Sequence, residues 1–481
     1  MFPPRNRTDP RTMELEPNDN ISFPIGTIRV VQKYYDFLGL ESVFGKHKKK
    51  GRDINSLIQS LISYRLSENQ SVTKASDWTN RDEVLMVFDL EPFEQRTLYR
   101  VLEIIGRNRI EIMANIRDMI FERYDLDHTD INMDWTSFVL YGTKCPLGKY
   151  GYSRDHRPDK KQITVGVSEL SDPINIPIGM TINEGSLPDQ KHFNETLEQV
   201  RPKLRKNSMV IFDYGGNRKE NLAQVENADL KYLTRRQINR SDEKNRIRVF
   251  DKNKAELVDE KYGVYGIKHK WPSRYDYFYY SEYLHKNQIE AKLRKVDRLF
   301  EEAESIQKSI DNNRGLPKRY RINNPLIDCT YSYQTKLSEL NEEDARKILK
   351  KAAITGREGF FCLVSNKNLT LSEALSKYRK KDSIEKIFHS LKNEINIKPL
   401  RVWSDLTIYG ALIISFIAQL MISLIRFEHP ELKHTSPKFI KNSLMNLTVT
   451  VEFGGNLPKR YIFSNFSPIS EEILGLNNAI T

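Results

Sequence analysis

The chain has 481 residues, and its 76 Lys and Arg outnumber 64 Asp and Glu for a formal net charge of +12. An apolar share of 39% beside 29% charged residues excludes a disordered chain, and the length accommodates roughly two to four domains. The basic balance favours a polyanionic partner, while three widely spaced cysteines without a CxxC pair (Cys145, Cys329, Cys362) exclude a cysteine zinc site and fit a reducing cytoplasm.

In chain order, residues 1–24 are rich in Pro, Asn and charge, lack the apolar core of a signal peptide, and read as a flexible N-terminus. Residues 25–128 carry helical periodicity, as in Val30, Val31, Tyr34, Tyr35, Leu38 and again in Ile54, Leu57, Ile58, Leu61, Ile62. Asp53 stands where the second of these helices needs an N-cap, and the basic run Lys46–Arg52 precedes it. Helix, turn and helix with a basic flank suits a DNA-binding domain. The alternative is an ordinary helical bundle with a solvated Lys run, and from this segment alone it is the better reading.

The pattern changes near Thr129. Strands are expected at Ile131–Tyr141, Gln162–Ser168, Ile174–Ile182, Met209–Asp213 and Leu230–Thr234, with helices at Phe193–Leu204 and Glu220–Glu226. This is the first part, 129–239, of a mixed α/β core. An insertion domain follows at 240–358. It holds two aromatic strands, Tyr262–Trp271 and Tyr275–Tyr280, and a long helix with Ile289, Leu293, Val296, Phe300, Ala303, Ile306 and Ile310 on one face, ended by Gly315 and Pro317. The core resumes over 359–430 with a strand at Gly359–Val364, a helix at Ser383–Glu394 and the apolar stretch Ile408–Ile425. That stretch is long enough for a marginal membrane span. Ser415, Gln419 and Ser423 inside it, and Asp405 before it, favour a buried core helix of a soluble protein. Residues 431–481 read as a weakly structured tail.

Two carboxylates sit on otherwise apolar strands, Asp134 on the first and Asp213 at the end of the fourth. Burying a carboxylate unpaired is costly, so a metal, a cationic partner or the rim of the sheet is implied. For Asp213, a turn cap within Asp213-Tyr-Gly-Gly-Asn217 is an equal alternative. Further on, Glu385, Phe388, His389 and Lys392 fall on one face of a helix, beside a buried stripe of Ile384, Ile387 and Leu391. Such a face suits a phosphate-bearing site, with the carboxylate on Mg²⁺ and the ammonium on a phosphate; judged locally, an amphipathic helix with solvated Glu–Lys pairs is the better reading.

Asp134-Trp-Thr-Ser-Phe138, followed by Gly151-Tyr-Ser-Arg-Asp-His-Arg-Pro-Asp159, resembles the DDE transposases of prokaryotic insertion sequences, in particular the insertion sequence 1634 branch of the insertion sequence 4 family. The late signature of that family is Tyr, two residues, Arg, three residues, Glu, six residues, Lys. It is matched by Tyr378, Lys381, Glu385 and Lys392, with Lys in place of Arg. Tyr214 is a second departure, since Arg commonly follows the second Asp.

The resemblance implies an RNase H-like catalytic core, a mixed five-stranded sheet with helices, interrupted by a β-rich and helical insertion and preceded by a helical N-terminal domain. It implies Asp134, Asp213 and Glu385 as catalytic residues and as ligands of two Mg²⁺ ions, with Mn²⁺ a substitute. It also implies DNA contacts by Tyr378, Lys381 and Lys392. Arg154, Arg157, Lys160 and Lys161 form a basic loop suited to the DNA backbone, or alternatively a solvated hairpin. The expected activity is cleavage at the element's ends and strand transfer into target DNA, by a cytoplasmic, nucleoid-associated enzyme. Its partners are double-stranded DNA (terminal repeats and target) and a second copy, since ends are cut in pairs, and no membrane. The long helix of the insertion is one surface for that dimer; internal packing is the other use of its apolar stripe. A nuclease without strand transfer and a decayed DNA-binding copy are the alternatives.

Overall fold

The computed structural model describes residues 20–48, 50–68, 71–141, 145–312, 327–328, 334–335, 342–395, 402–454 and 457–475. Strand β1 (Asn20–Pro24) precedes helices α1 (Gly26–Phe37), α2 (Leu40–Gly45), α3 (Ile54–Leu66), α4 (Val72–Thr79), α5 (Asp82–Phe88), α6 (Arg96–Arg107) and α7 (Arg109–Tyr124). Next come β2 (Ile131–Val139), β3 (Gln162–Leu170), β4 (Pro177–Glu184), α8 (Asp189–Val200), β5 (Met209–Phe212), α9 (Lys219–Asn227) and β6 (Lys231–Arg236). The turn α10 (Arg240–Asp242) leads to β7 (Glu256–Asp259), β8 (Val264–Lys270), β9 (Tyr275–Ser281) and α11 (Glu282–Asp311). After the short pair β10 (Ile327–Asp328) and β11 (Gln334–Thr335) follow α12 (Glu342–Ala353), β12 (Phe360–Ser365), α13 (Leu371–Lys380) and α14 (Asp382–His389). The chain closes with α15 (Asp405–Glu428), α16 (Pro437–Asn446), β13 (Thr448–Gly454), β14 (Leu457–Ser464) and α17 (Pro468–Leu474).

These elements fall into two compact units, 1–232 with 378–481, and 233–377. In the first unit the strands lie in the order β4-β3-β2-β5, and β6 begins beside β5. β2, β3 and β4 form an antiparallel meander, and β5 returns parallel to β2. Order 3-2-1-4-5 with helices packed on the sheet is the RNase H-like arrangement. Helices α1 to α7 make up the helical N-terminal region. Asp53 caps α3, its carboxylate accepting from Ser56 N–H at 2.7 Å. Most of α3 is buried around its whole circumference, as an internal helix of a bundle. Lys46 of the basic run is paired with Glu111 at 2.5 Å.

Helix α15 is the apolar stretch. It is long and apolar enough to cross a membrane, yet 94% of its most apolar window is buried inside the protein, as the core-helix reading expects. Its polar residues are also covered, and Ser415 donates to the Ala411 carbonyl at 2.8 Å.

Both ends of the chain correct the sequence reading. Asn20–Pro24, expected to be loose, pairs antiparallel with β13, which in turn pairs with β14. The segment read as a weak tail therefore supplies two strands and two helices. Its alternation Thr448-Val-Thr-Val-Glu-Phe453 was the available signal.

The second unit has the strand order β6-β12-β9-β8-β7, antiparallel throughout. It extends beyond the expected insertion at both ends, and β12, read as resumed core, pairs with β9 and with Leu233–Arg236 of β6. Buried Asp276 takes Arg236 at 2.9 Å, and Arg236 also holds Asp242 at 2.5 Å. On α11, Val296, Phe300 and Ala303 are buried against Ala345 of α12. That part of the stripe is engaged in internal packing, one of the two expected uses; the side chains of Ile306 and Ile310 lie outside the described residues. Cys145 and Cys362 are buried free thiols; Cys329, Gly315 and Pro317 lie outside the described residues.

Candidate active site

A parallel strand pair keeps a constant sequence offset. Ile131 lies beside Val210, Asn132 beside Ile211 and Met133 beside Phe212, so Asp134 and Asp213 are the next residues on neighbouring strands. The same offset of 79 residues recurs at the start of the pair, where the Asp130 carboxylate accepts from Met209 N–H at 2.8 Å. Strand β5 stops at Phe212, and Asp213 opens a short turn at Tyr214–Gly216. Its side chain makes no capping bond to that turn, which sets the turn-cap alternative aside. Instead, Oδ1 accepts a 2.6 Å hydrogen bond from the Tyr378 hydroxyl.

Asp134 leaves 17% of its side chain exposed, and its Oδ1 accepts from Trp135 N–H at 2.9 Å. Burial pushes its carboxyl pKa up and nearby Asp213 adds to the rise, while Lys381, the Trp135 N–H and Arg154 oppose it.

Glu385 reaches the same place from a helix. Ile384, Ile387 and Phe388 of α14 are buried, and the helix packs on β2 and β3. The Glu385 side chain remains 61% exposed. Between the acids stands Lys381, with only 4% of its side chain exposed. Its Nζ lies 3.6 Å from Asp134 Oδ2 and 3.5 Å from Glu385 Oε1. Burial would lower the pKa of this ammonium; Asp134, Asp213 and Glu385 together outweigh burial and raise it. The three expected acids therefore share one locus. They are spread around Lys381, for among the described residues the set of three ligand atoms all within 4.8 Å of one another is a different one, His429, Glu431 and Glu472.

The helix expected at Ser383–Glu394 is α14 followed by a wider turn, with a second helix standing just before it. Helix α13 ends at Lys380 and α14 starts at Asp382, so Lys381 sits in the joint between them. Past His389 the backbone widens into a π turn at Ser390–Glu394. Within α14 Glu385, Phe388 and His389 keep their shared spacing, with Phe388 buried and Glu385 and His389 exposed, while Lys392 falls in the π turn. Ile384, Ile387 and Leu391 do form the buried stripe.

Several cations expected to meet DNA are engaged within the protein. Lys392 Nζ donates to Thr136 Oγ1 at 2.6 Å and pairs with Asp155 at 3.1 Å, with 11% of its side chain exposed. Arg154 pairs with Asp189, and its backbone N–H donates to Ser137 Oγ at 3.0 Å. Arg157 grips Asp159 through two 2.8 Å bonds. Lys160 lies 5.7 Å from the Tyr141 ring centre, and Lys161 is half-buried, its carbonyl accepting from Leu140 N–H at 2.8 Å.

Sequence reasoning assigned no role to Asp155, Asp189, Glu169 or Ser383. Asp155 fastens the motif loop to Lys392. Glu169, 1% exposed on β3, accepts from Ser383 Oγ at 2.5 Å and from Asn132 Nδ2 at 3.1 Å. Those bonds tie the first turn of α14 to the sheet. A carboxylate within the apolar run Gln162–Leu170 was the signal for Glu169, the same one that marked Asp134.

The family model described as "Transposase DDE domain" matches residues 125–421. Among curated proteins there is no match. One similar solved structure is the cryo-EM structure of the piggyBac transposase synaptic complex with hairpin DNA. It is 10% identical, with a TM-score of 0.41, covering 92% of this chain and 81% of that one.

Proposed function

The chain belongs to the transposase DDE-domain family, and on that premise we propose that it cuts DNA at the ends of a prokaryotic insertion sequence and joins those ends to target DNA. The observation that carries this reading is the shared locus of Asp134, Asp213 and Glu385, two placed side by side by strand register and one brought by α14. The donors fit a hard divalent cation such as Mg²⁺, with Mn²⁺ as substitute. All three are carboxylates, and the space between them already accommodates positive charge. Asp134, Asp213 and Glu385 would hold the metal, which when bound supplies Lewis acidity and a more acidic nucleophile.

The chain's own residues do the positioning. Tyr378 holds the Asp213 carboxylate through Oδ1, fixing the rotamer beside Asp134. The Lys392–Asp155 pair and the Lys392 bond to Thr136 lash the 145–161 loop to β2 next to the acids. Glu385 is exposed and so open to an incoming phosphodiester. In-line attack by water cuts the strand, and attack by the resulting 3′-hydroxyl joins it, with no covalent enzyme intermediate. A second copy is required because ends are joined in pairs.

The test is a cleavage and joining assay with the element's own end sequences, cut and precut. Asp213→Asn is expected to bring Mg²⁺-dependent cleavage and joining down to background while end binding persists. Native-rate cleavage by Asp213→Asn removes the proposal. Cleavage by the wild type without joining of precut ends assigns a nuclease instead.

A further inference from the structure

We infer that Lys381 is the built-in counter-cation of the carboxylate cluster, and that entry of the divalent cation and withdrawal of the Lys381 ammonium are one event. The inference rests on the proposed function only in taking Asp134, Asp213 and Glu385 as the metal ligands.

Three carboxylates on one locus repel one another, and the repulsion strengthens as water is excluded. Lys381 answers this from inside. Its side chain is 4% exposed, and its Nζ is within 3.6 Å of Asp134 and 3.5 Å of Glu385. Asp213 also acts on it electrostatically. Both distances are those of loose ion pairs rather than short hydrogen bonds, so the ammonium balances charge without being locked.

Mg²⁺ takes its oxygen ligands at about 2.0–2.1 Å, closer than any of these oxygens approaches the ammonium. The carboxylates must therefore close in on the point that Lys381 faces, and a fixed ammonium beside a divalent ion is repelled. The sequence provides a means of retreat. Lys381 lies in the joint between α13 and α14, with a flexible four-carbon stem and a single-point charge in place of the planar fork of arginine. Once displaced past exposed Glu385, its charge can meet a DNA phosphate. Lys381 is thus a positioning residue that lowers metal affinity in the absence of DNA and exchanges one anionic partner for another when metal enters.

The experiment uses the full-length chain without DNA, titrated with Mn²⁺ and followed by the electron paramagnetic resonance signal of free Mn²⁺. Wild type, Lys381→Met, Lys381→Gln and Asp213→Asn are compared. Asp213→Asn should abolish the saturable site, and Lys381→Met and Lys381→Gln should bind Mn²⁺ at least about tenfold more tightly than wild type. A purely structural role for Lys381 predicts weaker binding or none. If Asp213→Asn abolishes binding while both Lys381 variants bind no more tightly than wild type, the inference falls and the metal site stands. If no variant shows a site that depends on Asp213, the ligand assignment itself falls, and the inference with it.

A second measurement avoids substitution. Amine acetylation mapped by mass spectrometry on the wild type should find Lys381 protected without metal and modified at saturating Mn²⁺, with Lys392 as the internal reference. Protection unchanged by Mn²⁺ overturns the inference.

Discussion

Glu169 shows how one buried group ties α14 to the sheet. Burial pushes its pKa up to about 7 from 4.5, against the lowering effect of its Ser383 and Asn132 hydrogen bonds. A carboxyl group raised in the folded state binds more protons there than in the unfolded chain, so its stabilising share is complete below the unfolded pKa. That share is lost as pH rises through the folded value. At ~1.4 kcal/mol per unit the loss amounts to about 3 kcal/mol between about pH 5 and about pH 8. Glu169→Gln keeps an acceptor for Ser383 and removes the titration, and its unfolding free energy in urea should be flatter over this range by about that amount. Equal pH slopes for the two proteins would show that Glu169 is not the group responsible.

Among the elements, the crossing of α6 and α15 is tightly constrained. A Cβ added at Gly106 would stand 2.0 Å from the Leu406 carbonyl oxygen, and one at Gly410 would stand 2.2 Å from that of Leu102. Each helix therefore lays bare backbone against the other, and the buried length of α15 depends on that approach. Alanine favours a helix over glycine by up to ~1 kcal/mol, but separating two packed helices costs about 1–3 kcal/mol or more. Gly410→Ala is accordingly expected to lower the chemical-denaturation midpoint, and Gly106→Ala likewise. A rise in the midpoint would mean that helix propensity governs the site and that the crossing is looser than its geometry indicates.

For the molecule as a whole, the net charge of +12 is less available than it looks. Lys46, Arg154, Arg157, Lys381 and Lys392 all face carboxylates of the same chain. Affinity for end DNA should still fall steeply with salt, by roughly 10³-fold between about 50 and 200 mM if six phosphates are contacted. Asp159→Asn releases Arg157 from its exposed pair, and should steepen the salt slope by about one phosphate contact. Fluorescence anisotropy across a salt series decides both points. A flat dependence removes the electrostatic account, and an unchanged slope for Asp159→Asn places Arg157 away from the DNA.

Local pattern was enough to reveal most elements and two of the three acids. Apolar runs of strand length marked β2 and β5, the odd carboxylate within the one and directly after the other drew attention, and the polar interruptions in α15 spoke for burial. Strand alternation and helix periodicity belong to a few consecutive residues, so they survive in the bare sequence. The partner a residue meets is a different matter. Nothing near Asn20 announces that it will lie beside Glu452, and nothing near Lys392 announces Asp155. The break at Lys381 was equally hidden, because the residues on both sides are good helix formers and the joint exists to bring an ammonium among carboxylates contributed by β2, the end of β5 and α14. Those choices depend on which surfaces exclude water together, and only the tertiary structure, by bringing distant segments into contact, decided them.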